Sequence, residues 1–242
     1  KEFLNTPFSD IETINKIGVL PIFQYVKNYC THNEDLAVLT GSIVIIHKSI
    51  LNAFAEIEPL HNFSFVALDY DEAFLEVSLK SKAEKSIVEI LTQLFENGTI
   101  KVLIGTKSLL GEGWDAPSIN SLILASFVGS FVSSNQMRGR AIRKDADKPN
   151  KTGNVWHLAC VDPTATDGGR EVDILKRRFE AFVGVTNTTI PFISNGFDRL
   201  NFPETILVDD IAELNNQTLE KARQRPLITK KWQVSIGSGT KL

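Results

Sequence analysis

Three short apolar runs constrain this chain more than any other feature. They are Lys101-Val102-Leu103-Ile104-Gly105, Ser121–Ser126 (SLILAS) and Asn154–Cys160 (NVWHLAC). Runs of this length fit strands better than helices. Lacking a clean apolar–polar alternation, they read as strands covered on both faces, the pattern of a parallel sheet. Parallel neighbours need a crossover long enough to carry a helix, and the sequence supplies helices at the right places. Ile87, Val88, Leu91, Leu94 and Phe95 recur at the three-and-four spacing of one helix face. Ser81-Lys82-Ala83-Glu84 matches a capping box ahead of that stripe, and Asn97-Gly98 matches a stop behind it. Ser133–Arg143 reads as a second helix with Ser133 or Ser134 as N-cap. Strand–helix–strand alternation predicts an α/β layered fold around a parallel sheet.

The flanks divide the chain into three parts. Residues 1–32 read as an entry segment or linker, with one weak helix around Ile11–Tyr29 that Pro21 is expected to break. Residues 33–165 form the α/β domain, adding strands at Leu36–Leu39, Ile43–His47 and Phe63–Leu68 and a short helix at Ser49–Ile57. Asp69–Lys80 carries no decisive pattern. Residues 166–242 form a mostly helical extension. It opens on the turn Asp167-Gly168-Gly169, continues through Val172, Leu175, Phe179 and Phe182, and closes with a helix near Asp209–Arg223 that Pro226 is expected to stop. The chain starts at Lys1 without a Met and is expected to be a segment of a longer protein.

Charge is distributed unevenly. Residues 1–100 hold 7 lysines and no arginine against 14 acidic residues, so every arginine falls in the remainder. Arginine grips phosphate through a planar fork, which locates anion binding in the second part, although a solvated basic surface accounts for the charge equally well. Cys30 and Cys160 lack metal-ligand or disulfide-framework spacing. Cys160 is expected to be a buried free thiol, and the setting a reducing cytoplasm. No apolar run reaches the length of a membrane span. His32, His47, His61 and His157 are scattered, favouring structural roles over metal ligation, and no metal-binding residues are expected.

Two segments carry candidate chemistry. Gly105-Thr106-Lys107-Ser108-Leu109-Leu110-Gly111-Glu112-Gly113-Trp114-Asp115 follows the first apolar run. It would sit at the carboxyl end of a central parallel strand, where open α/β sheets place ligands. Its glycines admit a close anion, Thr106 and Ser108 offer hydroxyls, and Asp115 can accept from a ribose hydroxyl. A plain loop with Trp114 as core filler fits the composition as well. The second segment is Asn135-Gln136-Met137-Arg138-Gly139-Arg140-Ala141-Ile142-Arg143-Lys144. On a helix, Arg140 and Arg143 would share a face and repel unless an anion lay between them. Gly139 would clear space for a neighbouring surface. The bland reading is a basic face or a nucleic-acid phosphate patch; Lys176-Arg177-Arg178 and the stretch Lys221, Arg223, Arg225, Lys230, Lys231 could bind phosphates, with a solvated helix face the favoured reading.

In this order, with one buried strand between them, the two segments resemble motifs V and VI of superfamily 2 helicases. The first opens on Thr106 and closes on Gly113-Trp114-Asp115; the second matches Q-x-x-G-R-x-x-R from Gln136 to Arg143. The match covers about residues 81–163; the family's motif IV would fall on Ile43–His47. The resemblance implies a RecA-like parallel sheet with helices on both faces, the second motor domain of an ATP-dependent helicase or translocase. It implies Arg140 and Arg143 as arginine fingers, Gln136, Gly113 and Asp115 as nucleotide contacts, and Thr106 and Lys107 as contacts to the nucleic-acid backbone. ATP and Mg²⁺ would serve the full-length parent, with none held tightly by this segment. Partners would be nucleic acid, DNA rather than RNA on the Gly-Trp-Asp and Gln signatures, and the first RecA-like domain of the same parent.

No G-x-x-x-x-G-K-[ST] loop and no metal-binding D-E-x-[DH] pair occurs in the chain. The end, Gly237-Ser238-Gly239-Thr240-Lys241, imitates only a fragment of that loop. The segment alone is therefore expected to lack ATPase activity. The rival reading is a non-catalytic nucleic-acid-binding or adaptor module with degenerate helicase motifs.

Overall fold

The computed structural model describes Leu4 and residues 17–237, apart from 109–113, 126–130, 146–147 and 149, with only the backbone described at 131–134 and 198. Two contact units emerge. The first comprises Lys1–Ile119 and Arg143–Asn150; the second comprises Asn120–Ile142 and Lys151–Leu242. The division falls inside the 33–165 segment, and the chain passes between the units three times.

The first unit is built on a five-stranded sheet of β1 (Leu36–Leu39), β2 (Val44–His47), β3 (Phe63–Leu68), β4 (Asp71–Leu79) and β5 (Val102–Gly105), in the order β3-β4-β2-β1-β5. Side chains alternate across it as the pleat demands. Leu36, Val38, Ile45, Phe74 and Ile104 face a core shared with α1 (Val19–Tyr29). Ala37, Leu39, Ile46, Val77 and Leu103 face the other core, shared with α2 (Leu51–Ile57) and α3 (Ile87–Glu96). Helices thus cover both faces, and β1 reads as a continuous apolar run because it is buried on each.

The sheet is mixed. Only β1 and β5 pair in parallel; the β1–β2, β2–β4 and β3–β4 pairs are antiparallel. Connection length explains the departure from an all-parallel sheet. Residues 40–43 and 69–70 are too short for a crossover and can only turn the chain back. Thr40 closes the first turn, its Oγ1 accepting from Ile43 N–H at 2.8 Å. β5 is correspondingly an edge strand, not a central one.

Two local expectations are corrected. Pro21 lies in the first turn of α1, where an amide has no intrahelical acceptor to lose, so it opens that helix without breaking it. The capping box of α3 is Ser86…Glu89, not Ser81…Glu84: Glu89 N–H donates to Ser86 Oγ at 3.2 Å, and Ser86 N–H to Glu89 Oε2 at 2.7 Å. The same S-x-x-E pattern occurs twice, and the copy adjoining the apolar stripe wins. Glu84 N–H and Lys85 N–H instead donate to the buried Glu58 carboxylate, at 3.0 and 3.3 Å. Those bonds, Glu84's foremost, hold the Glu58 carboxyl below its ordinary range.

In the second unit β6 (Ser121–Leu124) and β7 (Asn154–His157) pair in parallel, as the sequence predicts for these two runs. α4 (Phe131–Ala141) packs Met137 against Leu122, Leu124 and Val155. α4 begins before Ser133 and Ser134, so these lie within the helix and do not cap it. Ala141 O sits 2.3 Å from where a Cβ on Gly153 would be, so only glycine lets the strand start beneath the helix end. The remainder consists of α5 (Arg170–Glu180), the two-residue strands β8 (Gly184–Val185) and β9 (Ile193–Ser194), α6 (Ile211–Arg223) and α7 (Arg225–Gly237). Pro226 falls in the first turn of α7 and starts a helix where a stop is expected.

Candidate functional site

β5 delivers the chain to Thr106, which is half-buried, with its Oγ1 3.3 Å from Ser108 Oγ. Lys107 is exposed, and Gly111 and Gly113 lie outside the described residues. The segment is then fixed to α3. Trp114 is buried, its Nε1 donating to Thr92 Oγ1 at 2.7 Å and its ring 6.0 Å from that of Phe95. Ser118 donates from both N–H and Oγ to Glu96 Oε1, at 3.2 and 3.0 Å. Ala116 and Ile119 are buried as well. Trp114 is therefore core filler, and between two anchored residues Asp115 alone turns its side chain out to solvent, 57% exposed. That carboxylate accepts from Arg143 Nη1 within the same unit. One residue from each candidate segment thus meets the other across 28 positions of sequence.

The second segment departs from expectation in its helix end. α4 stops at Ala141, and although Ile142 N–H still donates to Arg138 O, Arg143 lies beyond the helix. Arg140 and Arg143 consequently do not share a helix face. Lys144 and Asp145, the residues next in line for the buried face, offer nothing apolar to extend it, and Gly153 packs under the last carbonyl. On α4 itself, Gln136 is exposed, Met137 and Ala141 are buried, and Arg138 and Arg140 are half-buried. Gly139 clears no neighbour: a Cβ there would meet no atom of the described residues within 4 Å.

Sequence reasoning missed a second group of cations, assembled in the second unit from three separate stretches. His157, the last residue of β7, lies with Phe179 and Phe182 in one ring cluster, its centroid 5.4 and 6.1 Å from theirs. Arg138 Cζ lies 3.6 Å over the Phe182 ring, and Arg199 Cζ lies 5.6 Å from the Phe179 centroid. Arg178 Nη1 is 3.0 Å from His157 Nδ1. A guanidinium can only donate, so Nδ1 accepts and Nε2 carries the proton of a neutral ring. Burial, reinforced by Arg178 and Arg138, pushes the imidazole down to about 4. The signals in the sequence are that Arg138 sits within the second segment and that Arg178 closes the basic run Lys176-Arg177-Arg178.

Both cysteines are free, but Cys160 is exposed where a buried thiol is expected, because its strand ends three residues earlier at His157. Partial burial and Glu171 raise its thiol pKa. His47 accepts from Ser49 N–H and packs edge-on against Phe74. Among the described residues, no three His, Cys, Asp or Glu side chains cluster as a metal site, and no helix is long and apolar enough to cross a membrane. The chain matches no protein-family model, no curated protein and no solved structure.

Proposed function

We propose that this chain is the second motor domain of an ATP-dependent helicase or translocase acting on nucleic acid, DNA in preference to RNA, in a reducing cytoplasm. Its sheet would be a variant of the RecA-like layer in which hairpins replace some crossovers. The observation that carries the reading is the Asp115–Arg143 ion pair, which brings one residue of each motif-like segment together in the first unit. Residues that serve one cleft must converge from distant sequence. In this reading Arg140 and Arg143 supply positive charge to the transferring phosphate, Gln136, Gly113 and Asp115 contact the nucleotide, and Thr106 and Lys107 contact the strand. Asp115 keeps Arg143 paired until a nucleotide competes for it. A first RecA-like domain would contribute the phosphate loop and the Mg²⁺ ligands, so the 242-residue chain alone hydrolyses no ATP.

The test is steady-state ATPase of the full parent with saturating nucleic acid, alongside a thermal melt. Arg140→Ala and Arg143→Ala should each lower kcat on the order of 10²-fold or more while KM changes little, the signature of charge stabilised only in the transition state. Lys144→Ala should stay near wild type. Variants that keep kcat but lose nucleic-acid binding would move both arginines to a strand clamp and favour the non-catalytic module. Robust Mg²⁺-dependent hydrolysis by the isolated chain would overturn the split-site reading.

A further inference from the structure

We propose that Arg138, Arg178 and Arg199 form a binding site for a phosphate group in the second unit, set against the His157–Phe179–Phe182 ring cluster. Phe179 and Phe182 meet edge to face with centroids 5.7 Å apart. Arg138 lies over one of these rings and Arg199 beside the other, while Arg178 is held by the histidine touching both. Three cations from α4, α5 and the turn at residues 198–200 are thereby drawn to one place.

Arg138 and Arg199 lack a compensating charge among the described residues. No carboxylate of those residues lies at ion-pair distance from Arg138 or Arg199. Arg138 donates to Asn135 Oδ1 at 3.1 Å, and the Arg199 Nε is buried with no hydrogen-bond partner. Ring faces attract a cation but leave its N–H donors unsatisfied. Arginine has no escape through deprotonation at any ordinary pH. Burial depresses the pKa of all three, and Arg138 depresses that of Arg199 further, the mark of two like charges held close.

A phosphate group answers this arrangement. Its charge approaches two, and its oxygens accept from several guanidinium forks at once. His157 stays neutral and holds Arg178 through Nδ1, adding orientation without a further positive charge. Gly184 seats the third arginine: a Cβ there would lie 2.6 Å from Arg199 Nη1, so glycine lets the guanidinium rest against the β8 backbone. This inference does not depend on the motor reading, which uses Arg140 and Arg143.

The experiment is calorimetric titration of the intact 242-residue chain with pyrophosphate at low salt. Saturable binding is expected, at least 10-fold weaker in Arg138→Gln and Arg199→Gln and unchanged in Lys82→Ala. Where a glutamine variant does not fold, Arg138→Lys and Arg199→Lys retain the charge and the stem; loss of the fork should still weaken binding about 10-fold. Competition with ATP and with a single-stranded oligonucleotide then identifies the source of the phosphate. Displacement by the oligonucleotide, lost in the same variants, assigns a backbone phosphate; displacement by ATP alone assigns a free nucleotide. No saturable binding, equal displacement by chloride, or wild-type affinity in folded Arg138 and Arg199 variants would overturn the site, whatever the parent's ATPase does.

Discussion

The two units stabilise themselves by different means. In the first, a five-stranded sheet is covered on both faces, and the largest fully buried side chains among the described residues belong to it, Phe23, Phe54, Phe74, Ile46 and Leu91 among them. In the second, the strand pair buries little beyond Leu124 and Met137, α6 has no buried residue, and half-buried arginines rest on phenylalanine rings. Apolar burial needs no partner beyond shape. Packing cations on rings leaves donors and charge in need of something more. The unit that resolves its own interior is therefore suited to be a scaffold, and the one with unresolved charge is suited to hold a ligand.

The largest expected effect lies in the first unit. Phe54 is fully buried, edge-on to Phe63 and Phe65 at 5.0 and 5.6 Å. Phe54→Ala should cost about 3–5 kcal/mol in denaturant unfolding. Met137→Ala, in the thinner core of the second unit, should cost about 2 kcal/mol. Equal losses would erase the contrast. Next come two glycines of the second unit. Gly153→Ala drives a Cβ into Ala141 O and should destabilise by about 1–3 kcal/mol. Gly139→Ala, in open space within α4, should raise stability by about 0.5–1 kcal/mol through helix propensity. A destabilising Gly139→Ala would mean that this helix face is packed after all.

The pH response sharpens the same comparison. His157 has its pKa depressed from 6.5 to about 4. Between those values the unfolded chain binds a proton that the folded chain refuses, so stability is lost as pH falls from about 6.5 towards 4. Thermal melts of the wild type should show this decline, and His157→Gln should flatten it. Carboxylates held low by hydrogen bonds, such as Glu58, Asp71 and Glu89, lose their contribution only below their own ordinary range, near 4.5 and under. A wild-type melting temperature that stays level from pH 6.5 to 4.5 would remove His157 from the account. The smallest effect belongs to the exposed Asp115–Arg143 pair: Asp115→Asn should shift stability by no more than about 1 kcal/mol, less in high salt. A larger loss would make the pair structural and weaken its assignment to a nucleotide cleft.

Legibility followed locality. The runs at 36–39, 102–105, 121–124 and 154–157 are strands because each carries its own apolar signal. β4 escaped notice because Asp71, Glu72 and Glu76 dilute its alternation of Ala73, Leu75, Val77 and Leu79. α7 escaped because a proline reads alike as a stop and as a first-turn residue, and only the break at Gln224 distinguishes them. Ile142 and Arg143 are acceptable helix residues, and what stands under their helix end is Gly153, from beyond a separate loop. The two candidate segments were visible as motifs in the sequence; the pairing of Asp115 with Arg143 was not, since it depends on the chain returning to the first unit after the helix ends at Ala141. The Arg138–Arg178–Arg199 group was not visible as a group, since Arg138 and Arg178 lie in separate basic runs, Arg199 lies in neither, and only folding gathers them.

The order in which the chain visits its two units has a consequence for dissecting the protein. Residues 120–142 leave the first unit and residues 143–150 return to it, so Asp115 and Arg143 close a loop that contains residues 120–142 of the second. No single break in the polypeptide yields either unit whole and free of residues of the other. A truncation at Asn120 removes Arg143 from Asp115, and one at Lys151 strands α4 and β6 without β7. Modular exchange with another protein would have to transplant the two halves of each unit together, or rejoin them through a permuted chain in which the loop is cut and the original ends are linked.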